Sequence, residues 1–221
     1  MDKYNVYQDM SRRTGGEIYL GIVGPVRTGK STFIKRFMEL VVIPEMADDN
    51  EKVRTIDELP QSADGKTIMT TEPKFIPKEA AVIHFSNQET GKIRLIDCVG
   101  YLVPEAVGAI EEEKERMVKT PWSEEEIPFS KAAEIGTSKV IREHSNLGLI
   151  ITTDGSFGDI PAVNFEEALQ KTVMECEKAG KPFLILVNTS RPDSQETIQF
   201  TKRLEAQYGK TVMAVNCKTM D

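Results

Sequence analysis

The sequence is poor in the residues that mark disulfide-rich, metal-binding or membrane-spanning proteins. Only three cysteines, two histidines and one tryptophan occur among its 221 residues. Cys98, Cys176 and Cys217 have no Cys or His neighbours at metal-ligand spacing, which predicts reduced thiols in a cytosolic protein. The longest apolar runs, such as FLILV, are far shorter than the roughly 20 residues that cross a bilayer. The N-terminal segment also lacks the apolar stretch of a secretory signal.

Basic residues are in deficit as well. Lys and Arg number 28 against 35 Asp and Glu, which gives a formal net charge of −7. A protein of this charge is a poor partner for nucleic acid or an anionic membrane. Any anionic ligand must therefore be bound locally, by main-chain N–H groups and a few side chains.

The pattern of apolar runs predicts an α/β fold. Aliphatic runs predict strands at 17–23, 93–99, 147–153, 182–188 and 211–217, and a strand at 80–86 that forms an antiparallel hairpin with the strand at 93–99. Apolar residues at helical spacing predict helices from the first glycine-rich segment to Pro44 and at 130–145, 163–179 and 194–208. This alternation favours a mostly parallel sheet with helices on both faces and one antiparallel hairpin strand.

Three stretches depart from this alternation. Residues 1–16 are predicted to form a short polar helical extension, and 17–221 a single domain. The polar segments 44–79 and 101–129 are predicted to be long loops, and loops of that length in a compact domain are usually functional or mobile.

The string GPVRTGKS, residues 24–31, matches the phosphate-binding pattern GxxxxGK followed by Ser or Thr. A predicted strand precedes it and a predicted helix follows, which is the context that the pattern requires. Glycines let the loop wrap closely around phosphates, and the helix N-terminus adds partial positive charge. Lys30 is expected to reach the β- and γ-phosphates and Ser31 to bind Mg²⁺. The full set of expected ligands in this segment is Gly24, Arg27, Thr28, Gly29, Lys30, Ser31 and Thr32.

A carboxylate and a threonine are expected to complete such a site. Asp97 ends a predicted strand and is followed by Gly100, in the DxxG pattern that holds the metal and senses the γ-phosphate. Between this pattern and the phosphate loop, Thr70 or Thr71 fits the position at which GTPase-like proteins contact Mg²⁺ and the γ-phosphate. The sequence does not choose between the two threonines.

The segment expected to meet the base departs from the guanine-reading pattern NKxD. Asn188 is present, but Thr189 and Arg191 stand at the Lys and Asp positions. A site without the acidic acceptor selects guanine poorly. ATP is therefore the favoured nucleotide, although Asp193 could be brought in by a different loop path.

Hydrolysis lacks an obvious residue to orient water. Tyr101 stands where Ras-like proteins place Gln after the DxxG glycine, and its hydroxyl cannot replace the amide in that role. Arg27 lies inside the phosphate loop, as a similar arginine does in guanylate-binding proteins and atlastins. Two interpretations stay open: Arg27 stabilises transition-state charge in cis, or it points outward to an acidic surface residue.

With these elements in order, the chain resembles the N-terminal ATPase domain of the stage IV sporulation protein A family, the spore-coat morphogenetic ATPases of endospore-forming Firmicutes. The segments that carry the resemblance include DELPQSADGKTIMTTEPKF, IRLIDCVGY, PWSEEEIPFSKAAEIGTSKVI and HSNLGLIITTDGSFGDI. The resemblance covers most of residues 14–192 and extends to both long polar segments.

The resemblance implies an Mg-dependent ATPase of the GTPase-like (TRAFAC) P-loop class. In the family, Lys30, Asp97 and the Thr70–Thr71 pair correspond to the Walker A lysine, the Walker B aspartate and the sensor threonines. Hydrolysis there drives self-assembly into a basement layer at the outer forespore membrane, on its mother-cell cytoplasmic side. The implied partners are further copies of the chain and, through regions beyond it, coat proteins and a small recruiting peptide. Nucleic acid binding and membrane insertion are not implied, and the chain is interpreted as a fragment of a longer one.

Two other functions remain compatible with the residues. One is a regulatory GTPase with relaxed base specificity. The other is a nucleotide-binding structural module that does not hydrolyse its ligand. Rates of ATP and GTP turnover distinguish the three.

Overall fold

The structure is a computed structural model that describes residues 16–60, 72–84, 90–106, 110–111 and 114–220. At positions 84, 110, 111 and 114 only the backbone is described. The predicted helical extension therefore lies outside the described residues except for Gly16, as do Thr70 and Thr71.

A six-stranded sheet forms the centre of the fold. The strands in chain order are β1 (Glu17–Val23), β2 (Lys74–His84), β3 (Thr90–Asp97), β4 (Ile110–Glu111), β5 (Lys114–Glu115), β6 (Met117–Thr120), β7 (Ser123–Pro128), β8 (Leu147–Thr153), β9 (Phe183–Asn188) and β10 (Val212–Val215). The sheet has the order β10-β9-β8-β1-β3-β2, while β4 pairs with β5 and β6 with β7. Among the described strands of this sheet, only β2 is antiparallel to its neighbour. The predicted mostly parallel sheet with one antiparallel strand is confirmed.

Five α-helices connect the strands in the described residues. They are α1 (Lys30–Phe37), α2 (Asp49–Glu58), α3 (Phe129–Lys139), α4 (Glu166–Lys178) and α5 (Gln195–Tyr208). A π-helix (Met38–Val42) and a 3₁₀ turn (Ile43–Glu45) continue α1, a π-helix (Val140–His144) continues α3, and a 3₁₀ turn (Ala162–Phe165) leads into α4. None of the described helices combines the length and the apolar character needed to cross a membrane.

The sheet separates two apolar cores because successive side chains of a strand point to opposite faces. From β1, Leu20 and Ile22 pack with Phe33 and Ile34 of α1 on one face. Val23 packs on the other face with residues of the helices that follow β7, such as Leu169. The carboxyl ends of β1, β3, β8 and β9 thus meet at one edge, in front of the N-terminus of α1.

The two segments predicted to be long loops contain regular structure, and that part of the prediction is wrong. Helix α2 lies within 44–79, where the Asp48 side chain caps it by accepting the N–H of Asn50 at 2.7 Å. Thr55 is the only buried residue of α2, so the sequence contains no apolar stripe that would have indicated this helix. The β6–β7 hairpin lies within 101–129, and its acidic, largely exposed strand SEEEIP gives no apolar alternation either.

Candidate functional site

The phosphate-loop sequence forms a tight turn between β1 and α1. Gly24 and Gly29 have φ angles of 128° and 91°, which L-residues with a side chain rarely adopt. A Cβ on Gly24 would lie 2.4 Å from the Ile151 carbonyl oxygen, so this position also needs glycine for space. Within the described part of the chain, no side chain caps α1 and its first turn holds no acidic residue. The first N–H groups of α1, which lack partners within the helix, can therefore donate to an anion.

Lys30 is buried at the start of α1, with 5% of its surface exposed. Its ammonium donates to the Pro25 carbonyl oxygen at 2.6 Å, and the Thr28 hydroxyl donates to the same oxygen at 2.9 Å. Burial lowers the pKa of Lys30, while the nearby Cys98 and Asp97 act in the opposite direction to a smaller extent. The lysine thus lies in the loop with part of its hydration lost and no carboxylate bound directly to it among the described residues.

Asp97, at the end of β3, faces the start of α1. The Ser31 hydroxyl donates to one carboxylate oxygen, Oδ2, at 2.8 Å. The other oxygen, Oδ1, is buried and has no hydrogen-bond partner among the residues that the structure describes. Burial raises the pKa of Asp97, and the Ser31 hydroxyl and the Lys30 ammonium oppose that shift. A hydroxyl beside a buried carboxylate oxygen that lacks a partner is a suitable donor set for a hard divalent cation or for water bound to one.

The segment after Asp97 packs directly on the phosphate loop. The Tyr101 N–H donates to the Gly24 oxygen at 3.3 Å, and the Val26 N–H donates to the Tyr101 oxygen at 2.8 Å. Gly100 has a φ of 94°, and a Cβ there would lie 2.6 Å from the Lys30 ammonium. Gly100 is therefore in the position that its motif predicts, next to the lysine that is expected to bind the γ-phosphate.

The side chain of Tyr101 points into the protein. It is 4% exposed, packs with Val26 and Phe165, and donates its hydroxyl to Glu175 of α4 at 2.6 Å. Burial and the Glu175 carboxylate raise the pKa of Tyr101 well above its usual value. The hydroxyl is committed to α4, which agrees with the prediction that position 101 supplies no group to orient water.

Asn188 connects three parts of the site at the end of β9. Its amide nitrogen donates to the Thr28 oxygen in the phosphate loop at 3.0 Å, and its amide oxygen accepts the Cys217 N–H after β10 at 3.0 Å. Gly29 provides the necessary clearance, because a Cβ there would lie 2.2 Å from the Asn188 amide nitrogen. The segments after β9 and β10 are thereby attached to the phosphate loop.

Arg27 lies on the outer turn of the loop. Its side chain is exposed, and its φ of 63° is in the left-handed region. A non-glycine residue in that conformation costs roughly 1–3 kcal/mol. Thr32, also predicted to contact the nucleotide, is half-buried in the first turn of α1.

Sequence reasoning missed Asp154, which follows β8. Its carboxylate accepts the Ser156 N–H at 3.0 Å and the Thr189 hydroxyl at 2.6 Å. Burial acts to raise the pKa of Asp154, but hydrogen bonds from the Ser156 hydroxyl, from these two donors and from Thr197 outweigh it and hold the pKa below its usual value. A carboxylate directly after a central parallel strand was the available signal, since ligand sites form outside the carboxyl ends of such strands.

The arrangement therefore brings together most of the residues that the motifs singled out. Lys30, Ser31, Asp97 and Gly100 converge on one side of the loop, and Asn188 adjoins its other side through Thr28. Chemically, this is a set of anion donors beside a carboxylate of which one oxygen has no hydrogen-bond partner among the described residues, at the edge where open parallel sheets bind ligands. Thr70 and Thr71 remain predictions, because they lie outside the described residues.

Comparison with known proteins gives one consistent result. Residues 1–221 match the family model described as Stage IV sporulation protein A, ATPase domain. Proteins named stage IV sporulation protein A are 52% identical over 220 residues in Bacillus subtilis and 51% identical over 220 residues in Bacillus anthracis. The protein of that name in Clostridioides difficile is 48% identical over 217 residues. These alignments cover 98–100% of this chain but only 44–45% of each relative.

Proposed function

The chain belongs to the stage IV sporulation protein A family of ATPase domains, and from that premise we propose that it binds ATP with Mg²⁺ and hydrolyses the terminal phosphoanhydride bond. The observation that carries the proposal is the hydrogen bond between Ser31 and Asp97 beside the buried Lys30, with one buried carboxylate oxygen that has no hydrogen-bond partner among the described residues. Both charged groups have pKa values shifted by burial, as groups at ligand sites often do.

The phosphates bind at the uncapped N-terminus of α1. Main-chain N–H groups of the loop and the helix donate to phosphate oxygens. The Lys30 ammonium leaves the Pro25 oxygen, which it contacts at 2.6 Å, to donate to the β- and γ-phosphates. A phosphate anion restores the favourable environment that burial removes from the lysine. Gly100, next to the lysine, adds its N–H close to the γ-phosphate.

The residues present fit Mg²⁺. Ser31 and Asp97 would hold it, the aspartate directly or through water, and one of Thr70 and Thr71 would add a hydroxyl. When bound, the cation neutralises charge on the β- and γ-phosphate oxygens. The chain's own contribution is to fix the phosphates, and Arg27 stabilises the charge that gathers as the bond breaks.

The base binds between the segments that follow β9 and β10, and it is adenine. Asn188 joins both segments to the phosphate loop, which supports this position. Position 191 bears an arginine where a guanine site has a carboxylate. We assign the domain to the GTPase-like (TRAFAC) P-loop class, and the antiparallel β2 beside β3 supports this assignment.

The role of the whole protein is a proposal as well, because the chain spans less than half the length of the relatives it matches. We propose that ATP hydrolysis in residues 17–221 drives assembly of many copies into a coat layer on the forespore surface, in the mother-cell cytoplasm. Coat proteins and a membrane-associated recruiting peptide would bind through regions outside this chain.

The decisive experiment measures turnover of ATP and GTP by the purified chain with and without Mg²⁺. We expect Mg-dependent ATP hydrolysis, weaker GTP hydrolysis, and loss of turnover in Lys30→Ala. Lys35→Ala is the matched control, since Lys35 is a partly exposed lysine later in α1. Turnover that survives in Lys30→Ala would exclude this site as the source of activity.

A non-hydrolysing nucleotide-binding module is the second candidate. The commitment of the Tyr101 hydroxyl to Glu175 favours it, because position 101 then contributes nothing to water activation. Tight Mg-ATP binding without turnover, alone and with assembly partners, would identify that function.

A further inference from the structure

Residues 189–193, which follow β9, are called the β9 loop here. The conformation of this loop is fixed by side chains that the guanine-reading pattern NKxD does not contain. Thr189 is fully buried, and its hydroxyl donates to Asp154 at 2.6 Å. The oxygen of the same hydroxyl accepts the Arg191 N–H at 3.2 Å. Thr189 thus occupies the position that carries lysine in NKxD, and its side chain points inward and bonds to the backbone of its own loop.

Asp154 is the centre of this arrangement. One carboxylate oxygen accepts the Ser156 N–H, and the other accepts the hydroxyls of Thr189 at 2.6 Å and Thr197 at 3.4 Å. Ser156 in turn accepts the Ser190 N–H through its hydroxyl at 2.8 Å. Hydrogen bonds to an ionised acceptor are stronger and better defined in geometry than neutral ones. Asp154 therefore joins the segment after β8, the β9 loop and helix α5.

The β9 loop lies where a nucleoside would leave the phosphate loop. Asn188, the residue just before it, bonds to the Thr28 oxygen and to the Cys217 N–H. On the opposite side, Gly100 and Tyr101 pack against Gly24 and close the phosphate loop. A base attached to bound phosphates therefore meets the β9 loop and the segment after β10.

Resting on the proposed function, we propose that Asp154 is a positioning residue for the base: through Thr189 it fixes the β9 loop so that adenine is accepted and guanine is not. Guanine presents N1–H and N2–H donors that a carboxylate at position 191 would accept, whereas the arginine there has no acceptor atom in its side chain. Adenine presents an amino group that a single main-chain carbonyl satisfies. Without the Asp154–Thr189 bond the loop samples other conformations, so ATP binds more weakly and the discrimination against GTP falls.

The test compares Thr189→Val, which removes the hydroxyl at nearly constant volume, with Thr189→Ser, which keeps it. We expect Thr189→Val to raise the KM for ATP about tenfold and to change kcat by no more than about twofold. The ratio of ATP turnover to GTP turnover at low substrate concentration should also fall in this variant. Thr189→Ser should keep most of the affinity for ATP, because it keeps the hydroxyl. Thr172→Val is the matched control, because Thr172 is also fully buried and its hydroxyl bonds to the main chain of α4.

A double-mutant cycle tests whether Asp154 acts through Thr189. We expect Asp154→Asn to raise the KM for ATP as Thr189→Val does, and the double variant to be no worse than either single variant, because both changes break one connection. Additive effects would overturn the assignment of Asp154 as a residue that acts through Thr189. Equal KM values for Thr189→Val, Thr189→Ser and Thr172→Val, or a fall in kcat at constant KM, would overturn the proposal itself.

The proposed function and this inference can fail separately. If the unsubstituted chain hydrolyses no ATP, the dissociation constants of a fluorescent ATP analogue and a fluorescent GTP analogue replace KM in the same comparison. If Thr189→Val melts more than about 10 °C below Thr172→Val, Ser156→Ala replaces it, since this change removes a hydroxyl that accepts the Ser190 N–H at 2.8 Å and bonds to the Thr189 hydroxyl at 3.2 Å. Unchanged nucleotide selection in that variant counts against the proposal.

Discussion

At the scale of single residues, the charges around Lys30 and Asp97 are arranged for ligands more than for stability. Burial lowers the pKa of the lysine and raises that of the aspartate, so each charged form is disfavoured in the free protein. Within the described part of the chain, one buried oxygen of Asp97 has no hydrogen-bond partner. Such groups reduce the stability of the folded state and are retained where a ligand later compensates them.

Asp97→Asn tests this conflict between stability and function. Since burial raises the pKa of Asp97, its ionised form destabilises the free protein at neutral pH, and the neutral amide removes that penalty. We expect the melting temperature without ligand to rise by about 2–4 °C, as roughly 1 kcal/mol gives in a domain of this size. ATP turnover should fall at least about 100-fold. A lower melting temperature together with normal turnover would contradict the assignment.

Arg27 permits a test in which strain and charge are separated. Arg27→Gly removes the guanidinium but suits the φ of 63°, whereas Arg27→Ala removes it and keeps the strain. We expect both variants to lower kcat about tenfold or more with little change in nucleotide affinity, and the glycine variant to be the more stable of the two. Equal losses of kcat and affinity would make Arg27 a binding residue.

The sequence was sufficient to predict the positions of residues that belong to short motifs. Lys30 and Ser31 belong to one motif whose backbone conformation is set by glycines, and Gly100 belongs to a second motif that lies beside the first in phosphate sites of this kind. Asp154 and the direction of the Tyr101 side chain could not be predicted. Their partners, Thr189 and Glu175, are 35 and 74 positions away in sequence, and only the folded sheet brings them together.

At the scale of elements, the segment after β3 is attached at two points. Its backbone bonds to the phosphate loop at Gly24 and Val26, and its Tyr101 side chain bonds to Glu175 of α4. Arg142 also contacts Glu175, at 3.3 Å. A displacement of Gly100 would therefore be transmitted to α4 through Tyr101.

Tyr101→Phe removes the second attachment and leaves the ring in place. We expect a loss of about 1–2 kcal/mol in the free energy of unfolding, measured with urea, because a hydrogen bond to a carboxylate is lost. Glu175→Gln is the companion variant, which keeps an acceptor for Tyr101 but loses the ion pair with Arg142. A larger loss in Glu175→Gln than in Tyr101→Phe would show that the ion pair is the stronger connection.

Elements with apolar patterns were predictable, and those without were not. The strands at 17–23 and 147–153 are buried and aliphatic, so their bounds agree with the prediction. Helix α2 and the β6–β7 hairpin are mostly exposed, and their formation depends on a cap and on strand pairing. Neither a helix cap nor the pairing of exposed strands produces a hydrophobic periodicity in the sequence.

At the scale of the whole molecule, the sheet separates two main cores, and the strands that carry the candidate site contribute to both. Cys217 is buried in the core on the α1 side, and Cys176 is buried in the core on the side of α4. Burial raises the pKa of each of these thiols to about 12. Neither thiol is reactive at neutral pH unless its core opens, so each reports the opening of one face.

The labelling rates of these two thiols therefore test whether the domain is one cooperative unit. Because the strands that carry the site contribute to both cores, we expect the same free energy of opening from both thiols, measured with a thiol reagent and mass spectrometry of the labelled peptides. A ligand binds only the closed state, so Mg²⁺ with a non-hydrolysable ATP analogue at about 100 times its dissociation constant should slow both rates about 100-fold. Slowing of Cys217 alone would contradict cooperativity and would confine the effect of the nucleotide to the α1 face.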